Sequence, residues 1–368
     1  MPVTLKQLAH GLGLHHSTVA YALSGKGTVK EATRQRVRSV AREMGYVPNG
    51  LARRMRAKKT NVIGLVVPDV LIQYNQFIQQ LLRQALEHGY DSQIAVTESQ
   101  AEGEDKALRF LMESRVDGMI IKTGFRRWSD VPSQHALRQL SEQGVRTVLF
   151  GSPMESSPFN AVALPLERQG EILATHLLSL GHKHLAWLAA SMDTDQPQVA
   201  GVRKALRAAG HDAESLRVFV PDRSTVASNG AGCKSESLPQ SALECGRRLM
   251  RKAMSEPHRV TAVLCENEML AIGAVAEARE MGLRIPQDIA VAAADRSVAA
   301  DLSPIPLTTT SVDPAEASRA ALDLLLQTMH DEPANETRRN GKGDYETVSV
   351  KTVTPAATLI VGKSTYCQ

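Results

Sequence analysis

Basic side chains concentrate in the first 59 residues, and this is the strongest chemical signal in the sequence. The segment holds twelve Lys and Arg residues against two Glu, a formal charge of +10, while the other 309 residues sum to −6. A dense positive field on a short segment attracts a polyanion, because each neutralised phosphate releases condensed counterions. The pattern predicts a nucleic-acid partner; a solvated basic face is the alternative.

Catalytic and metal-binding patterns are not evident. No Ser/His/Asp or paired-carboxylate arrangement has a local signature, so we predict that the chain is not an enzyme and needs no cofactor. His15 and His16 are adjacent and cannot chelate from one helix face, so no metal is predicted. The cysteines form no Cys-x-x-Cys pair, and we interpret them as reduced thiols: Cys233, Cys245, Cys265 and Cys367.

Length and hydropathy predict a cytoplasmic protein of two or three domains. The 368 residues are 43% apolar, enough for each domain to bury its own core. The N-terminus lacks a basic segment followed by an apolar one, and no apolar run approaches 18 residues. We therefore expect no signal peptide and no membrane partner.

The basic segment has the pattern of a small helical domain. Thr4-x-x-Gln7 is a capping box that begins a helix, and Gly13 ends it. Helical spacing predicts a second, short helix over Ser17–Leu23 and a third over Glu31–Met44. Two short helices joined by a glycine turn and supported by a third are typical of a helix-turn-helix.

Several runs of this segment match a known family in order and spacing over about fifty residues. They are Val3-Thr4-Leu5-Lys6-Gln7-Leu8-Ala9, Ser17-Thr18-Val19-Ala20-Tyr21-Ala22-Leu23-Ser24, Thr33-Arg34, Met44-Gly45-Tyr46-Val47-Pro48-Asn49 and Leu51-Ala52-Arg53. The segment resembles the DNA-binding part of the LacI/GalR family of bacterial transcription regulators. The resemblance implies a helix-turn-helix domain over 1–47 and a hinge helix with its linker over 48–60.

The resemblance also implies which residues contact DNA. The second helix would enter the major groove, and the hinge helix would enter the minor groove once DNA and a second subunit are present. The implied DNA-binding residues are His16, Ser17, Thr18, Tyr21, Lys26, Asn49, Arg53, Met55 and Arg56. Met55 would be an apolar wedge between base steps, or a dimer contact.

Three residues depart from the family pattern. His15 and Lys30 replace the serines that usually cap the second and third helices, so neither helix is expected to have a good cap. Gly50 replaces an alanine in the hinge helix, which should make that helix about 1 kcal/mol harder to form.

Strand and helix patterns alternate through the rest of the chain. The first strand, Val62–Val67, is continuously apolar, as expected for a parallel strand buried on both faces. The alternation runs in two successive sets that meet near residue 165, which predicts two doubly wound parallel sheets and therefore two lobes.

The resemblance extends to this part, which we call the body (residues 61–368), and implies a two-lobed periplasmic-binding-protein-like fold that dimerises. It places the first lobe at 61–165 with a return strand near 300–312, and the second at 166–298 and 313–368. Polar stretches at 222–239 and 331–345 are predicted to be flexible loops.

In this family a small effector binds between the lobes, where the sheets end. Alignment places four residues at effector-contacting positions: Tyr74, Asn267, Glu268 and Asp295. The stretch before Gly201 lacks the family's usual arginine, and Arg296 stands where a second acid is frequent. Several interpretations stay open: a sugar-like ligand, a ligand other than a neutral sugar, a degenerate pocket, or purely structural roles for the four residues.

Together these observations predict a transcription regulator, most simply a repressor, that binds a near-palindromic DNA operator as a homodimer and responds to a small effector. A C-terminus without leucine heptads favours a dimer over a tetramer. A solute-binding protein and an α/β sugar-processing enzyme are the alternatives. A solute-binding protein would need a signal peptide and an enzyme would need a catalytic pair, and we find neither pattern in the sequence.

Overall fold

The computed structural model divides the chain into two compact units, the head (Met1–Thr60) and the body (Asn61–Gln368). It describes residues 3–24, 28–46, 59–67, 72–97, 101–123, 131, 133–152, 155–221, 239–257, 260–331 and 350–366. Most of the predicted hinge helix, and most of the two predicted flexible loops, lie outside these residues.

The head contains the three predicted helices, α1 (Leu5–Leu12), α2 (His16–Ser24) and α3 (Glu31–Glu43). The capping box is present: the Gln7 backbone N–H donates to Thr4 Oγ1 at 3.3 Å, and the Thr4 N–H donates to Gln7 Oε1 at 2.8 Å. Gly13 ends α1 with φ 66°, a left-handed conformation that glycine adopts without strain.

The first part of the body alternates strands and helices as predicted. Its elements are β1 (Val62–Val67), α4 (Ile72–Glu87), β2 (Asp91–Val96), α5 (Ala101–Glu113), β3 (Gly118–Thr123), α6 (Gln134–Glu142), β4 (Arg146–Gly151) and β5 (Asn160–Ala163).

The chain then builds a second set of elements. They are α7 (Leu166–Ser179), β6 (Leu185–Leu188), α8 (Pro197–Ala208), β7 (Arg217–Phe219), α9 (Pro239–Ser255), β8 (Ala262–Cys265), α10 (Glu268–Glu280), β9 (Ala290–Ala293), α11 (Val298–Leu302) and β10 (Thr308–Val312). The last elements are α12 (Pro314–His330), β11 (Thr352–Val353) and β12 (Ala357–Ile360).

Two sheets organise the body, which confirms the two-lobed α/β fold. The first has the strand order β11-β5-β4-β3-β1-β2 and the second β12-β10-β9-β8-β6-β7. The pairings are parallel except for β12, which runs antiparallel to β10. Each sheet has apolar clusters on both faces, as a doubly wound sheet requires.

The predicted lobe assignment is wrong for β10, α12 and β11, whereas β12 lies in the second sheet as predicted. The strand expected to return to the first lobe, β10, lies in the second sheet, where Thr308 pairs with Ala292 of β9. The chain crosses back to the first sheet after Val312. There α12 packs its apolar face on that sheet through residues such as Leu322 and Leu325. The strand added to the first sheet is β11, which pairs with β5. In the described part of the chain, no helix is long and apolar enough to cross a membrane.

Candidate functional site

The second helix of the head presents a polar face to solvent. Val19 and Ala22 are fully buried against the other two helices, which fixes the rotation of α2 about its axis. That rotation leaves His16 exposed and Tyr21 52% exposed, with Ser17 and Thr18 half-buried beside them. A short helix held by its apolar face, with its polar face outward, is able to enter a major groove and contact base edges.

An imidazole stands at the beginning of α2. His15 Nδ1 lies 2.8 Å from Ser17 Oγ and 3.5 Å from the Ser17 backbone N, so the ring faces the first turn. The contact with the Ser17 backbone N is at the outer limit of a hydrogen bond, so the expectation that His15 gives this helix no good cap stays a prediction. The contact with Ser17 Oγ holds the Ser17 side chain in one position. The corresponding expectation for Lys30 is confirmed, because its side chain makes no capping bond to α3.

Basic residues on α3 add charge beside this helix. Arg36, Arg38 and Arg42 are exposed, whereas Arg34 pairs with Glu31 at 3.2 Å. Exposed guanidinium groups are suited to phosphate contacts, which set affinity and register. The remaining predicted DNA-binding residues lie outside the described part of the chain: Lys26, Asn49, Arg53, Met55 and Arg56.

A second candidate site lies at the carboxyl ends of the strands of the second sheet, which we call the crevice. Three predicted effector residues lie within three residues of these ends: Asn267 and Glu268 come after β8, and Asp295 after β9. The Asn267 side-chain oxygen accepts a hydrogen bond from the Leu270 backbone N–H at 3.0 Å and so caps α10. That oxygen therefore has a structural partner, and Asn267 is only 4% exposed.

Glu268 is buried and tied to the neighbouring loop. Its carboxylate accepts hydrogen bonds from the backbone N–H of Ser297, at 2.7 Å, and from the Ser297 hydroxyl. Burial raises the pKa of Glu268 to about 7; the Asp295 charge raises it too, while the Ser297 bonds and the Arg296 charge oppose the rise. Glu268, Asp295 and Arg296 therefore form one electrostatic group.

Arg296 occupies the crevice but is already paired. Its guanidinium donates to Thr309 Oγ1 at 3.2 Å and forms an ion pair with Asp301. The preceding Asp295 has φ 68°, and its N–H donates to Thr310 Oγ1 at 3.3 Å. The charge of Arg296 is thus balanced by Asp301, in the helix α11 that follows the loop.

A polar relay that the sequence analysis missed reaches the same strand ends. The buried indole N–H of Trp187 donates to Gln196 Oε1 at 2.9 Å, and Gln196 Nε2 donates to Glu266 Oε2 at 2.9 Å. The Ala190 backbone N–H donates to the same Glu266 oxygen at 2.6 Å. The only signal in the sequence is an acid directly before Asn267, and its partner Gln196 lies 70 residues away.

The fourth predicted effector residue, Tyr74, lies in the first lobe at the beginning of α4. The Lys122 ammonium sits 5.0 Å from the centre of its ring, a cation–π contact at the end of β3. Within the described ranges, no group of three His, Cys, Asp or Glu side chains is placed to hold a metal ion.

Comparisons with known proteins agree with this architecture. Residues 4–49 match the family model described as bacterial regulatory proteins, lacI family, and residues 174–365 match the periplasmic binding protein-like domain. The chain is 33% identical to the transcriptional regulator AglR of Rhizobium meliloti, covering 84% of this chain and 83% of that protein. It is 27% identical to the transcriptional repressor PurR of Aliivibrio fischeri, over 89% and 92% of the two chains.

A solved structure of the lac repressor dimer bound to operator and the anti-inducer ONPF has the same fold. It superposes with a TM-score of 0.77 at 21% identity, and the alignment covers all of both chains. A helix-turn-helix head followed by a two-lobed binding domain, together with these matches, identifies the chain as a DNA-binding transcription regulator that belongs to the LacI family.

Proposed function

We propose that α2 is the recognition helix and that the chain represses transcription by binding a near-palindromic operator as a homodimer in the cytoplasm. The observation that supports this most directly is the orientation of α2: Val19 and Ala22 are fully buried, while His16 and Tyr21 face solvent. Two such helices related by a twofold axis would contact two half-sites about one helical turn of DNA apart. Relatives such as PurR are named as repressors.

We further propose that a small effector bound in the crevice, between the lobes, changes operator affinity. The chain crosses from one sheet to the other after β5, after β10 and again between β11 and β12, so a ligand that draws the lobes together acts on all three connections. Coupling then requires only that the effector bind one lobe arrangement better than the other.

Selection of bound sequences from random duplex DNA tests the first proposal. The wild-type chain should enrich a palindrome, and a variant with His16→Ala, Ser17→Ala and Tyr21→Ala should not, because base contacts are worth about 1–3 kcal/mol each. The matched control replaces three exposed polar residues of α1 and α3 by alanine, His10, Gln35 and Ser39.

The control variant should enrich the same palindrome as the wild type, since its three residues lie on α1 and α3 and not on the exposed face of α2. If both triple variants enrich the wild-type palindrome, or if the control alone loses it, α2 is not the recognition helix.

A further inference from the structure

We infer that Glu266 is the anchoring hydrogen-bond acceptor for the effector, so that the effector presents O–H or N–H donors to the crevice, as a polyol or an amine does. This inference rests on the proposed effector site. It adds a residue that the family alignment did not indicate, and it assigns Gln196 and Trp187 as positioning residues for that acceptor.

Glu266 is placed as a binding residue would be. It directly follows β8 at the carboxyl end of the second sheet and is half-buried. The neighbouring loops after β6 and β9 bring Ala190 and Asp295 to the same edge of the sheet, because β6, β8 and β9 are adjacent. Ligands in open α/β sheets bind at this edge.

The relay fixes the carboxylate in one orientation. Glu266 Oε2 accepts two N–H donors, from Ala190 at 2.6 Å and from Gln196 Nε2 at 2.9 Å. Gln196 is 6% exposed and is itself held at its other end by the Trp187 indole N–H, while its Nε2 also donates to Ser191 Oγ at 3.0 Å. A group held by bonded neighbours loses little freedom when a ligand binds, which favours affinity.

The chemistry of the crevice favours a donor on the ligand. Carboxylates are acceptors only, and Glu266 and Asp295 both follow strands there. The one arginine of the described crevice loops, Arg296, already pairs with Asp301 and Thr309. A phosphate or carboxylate group would meet like charge at Glu266, whereas a hydroxyl or ammonium group would form a charge-assisted hydrogen bond.

Titration calorimetry with simple probes tests this assignment. Glucose presents hydroxyl donors, putrescine presents ammonium donors and glucosamine presents both, while sulfate and acetate present acceptors. At least one donor probe should bind the wild-type chain, and Glu266→Gln should weaken that binding about tenfold or more. Glu266→Asp, which keeps the charge one methylene back, should recover part of the loss. The matched control is Glu113→Gln, an exposed acid at the end of α5.

Trp187 reports on the relay. The chain contains two tryptophans, so Trp128→Phe leaves Trp187 as the sole indole. In that background, the bound donor should shift Trp187 emission, and Gln196→Met should abolish the shift while calorimetry still detects weaker binding. A residue that merely supported the fold would leave the shift in place.

Several outcomes overturn the inference. They are no binding of any donor probe, binding of sulfate or acetate that the donor probe displaces, and equal affinities for Glu266→Gln and Glu113→Gln. Binding of putrescine alone assigns ammonium as the donor, and binding of glucose alone assigns hydroxyl. If the wild-type chain binds the operator but none of the probes, this inference is refuted and the DNA-binding proposal stands. If the chain binds a donor probe but no operator, the DNA-binding proposal is refuted and this inference stands.

Discussion

Glu268 shows how one residue couples the crevice to pH. Its pKa lies near 7 in the folded chain against an ordinary value of 4.5, and burial is the main cause. Between pH 4.5 and about pH 7, the Glu268 carboxyl keeps its proton in the folded chain and has lost it in the unfolded chain. Folding stability due to this group is therefore fully present below about pH 4.5 and is lost as the pH rises through about 7.

Glu268→Gln should remove this pH dependence, because an amide stays neutral and can still accept from Ser297. Relative to wild type, the free energy of unfolding of the variant should rise by up to about 3 kcal/mol between pH 4 and pH 8. Urea titrations across that range measure it, with exposed Glu113→Gln as the control. Wild-type and Glu268→Gln stabilities that run parallel with pH would refute the assignment.

At the residue level, the sequence could place some site residues but not their partners. The exposed face of α2 follows from helical spacing alone, since Val19 and Ala22 lie on one side. Glu266 was missed because a hydrogen bond to Gln196 depends on a sheet that pairs β6 with β8. Such tertiary neighbours have no signal in local sequence.

Close backbone contact between helices α7 and α8 restricts two positions to glycine. The two helices cross so closely that a Cβ on Gly201 would lie 1.9 Å from the Glu167 carbonyl oxygen, and one on Gly170 would lie 2.0 Å from that of Gln198. Backbone cannot yield as a flexible side chain can, so only glycine fits at these crossings.

Gly201→Ala should therefore destabilise the body by about 2 kcal/mol or more. The same substitution at Gly11 should stabilise α1 by about 0.5–1 kcal/mol, since that helical glycine has its nearest neighbour, Met44 Sδ, at an ordinary 3.7 Å. Denaturant unfolding followed by circular dichroism compares the two. Equal and small effects would show that the helix crossing is looser than the structure indicates.

Most elements could be predicted from periodicity, but not where the late ones pack. Helix α12 was missed although its start is legible: Asp313 precedes Pro314, and the Asp313 carboxylate accepts from the Ala315 N–H at 2.8 Å. The sequence predicts the strand β10, but the prediction that β10 returns to the first lobe is wrong. Its partner β9 is chosen by long-range pairing, which a local apolar pattern does not determine.

At the scale of the whole molecule, charge is divided between the two units. The positive charge is concentrated at the N-terminal end, and the body is acidic, so a polyanion is attracted to the N-terminal segment. Affinity for any duplex should fall about tenfold or more between 50 and 200 mM salt, because phosphate contacts release counterions. A salt-independent affinity would show that the basic residues do not contact phosphate.

The most direct test of the central claim is the equilibrium affinity of the intact chain for the selected palindrome and for a scrambled duplex of equal length, by fluorescence anisotropy at 150 mM salt. A sequence-specific regulator should bind the palindrome about a thousandfold more tightly, and the His16, Ser17 and Tyr21 triple alanine variant should remove most of that difference. Equal affinity of the wild-type chain for the two duplexes would contradict the account.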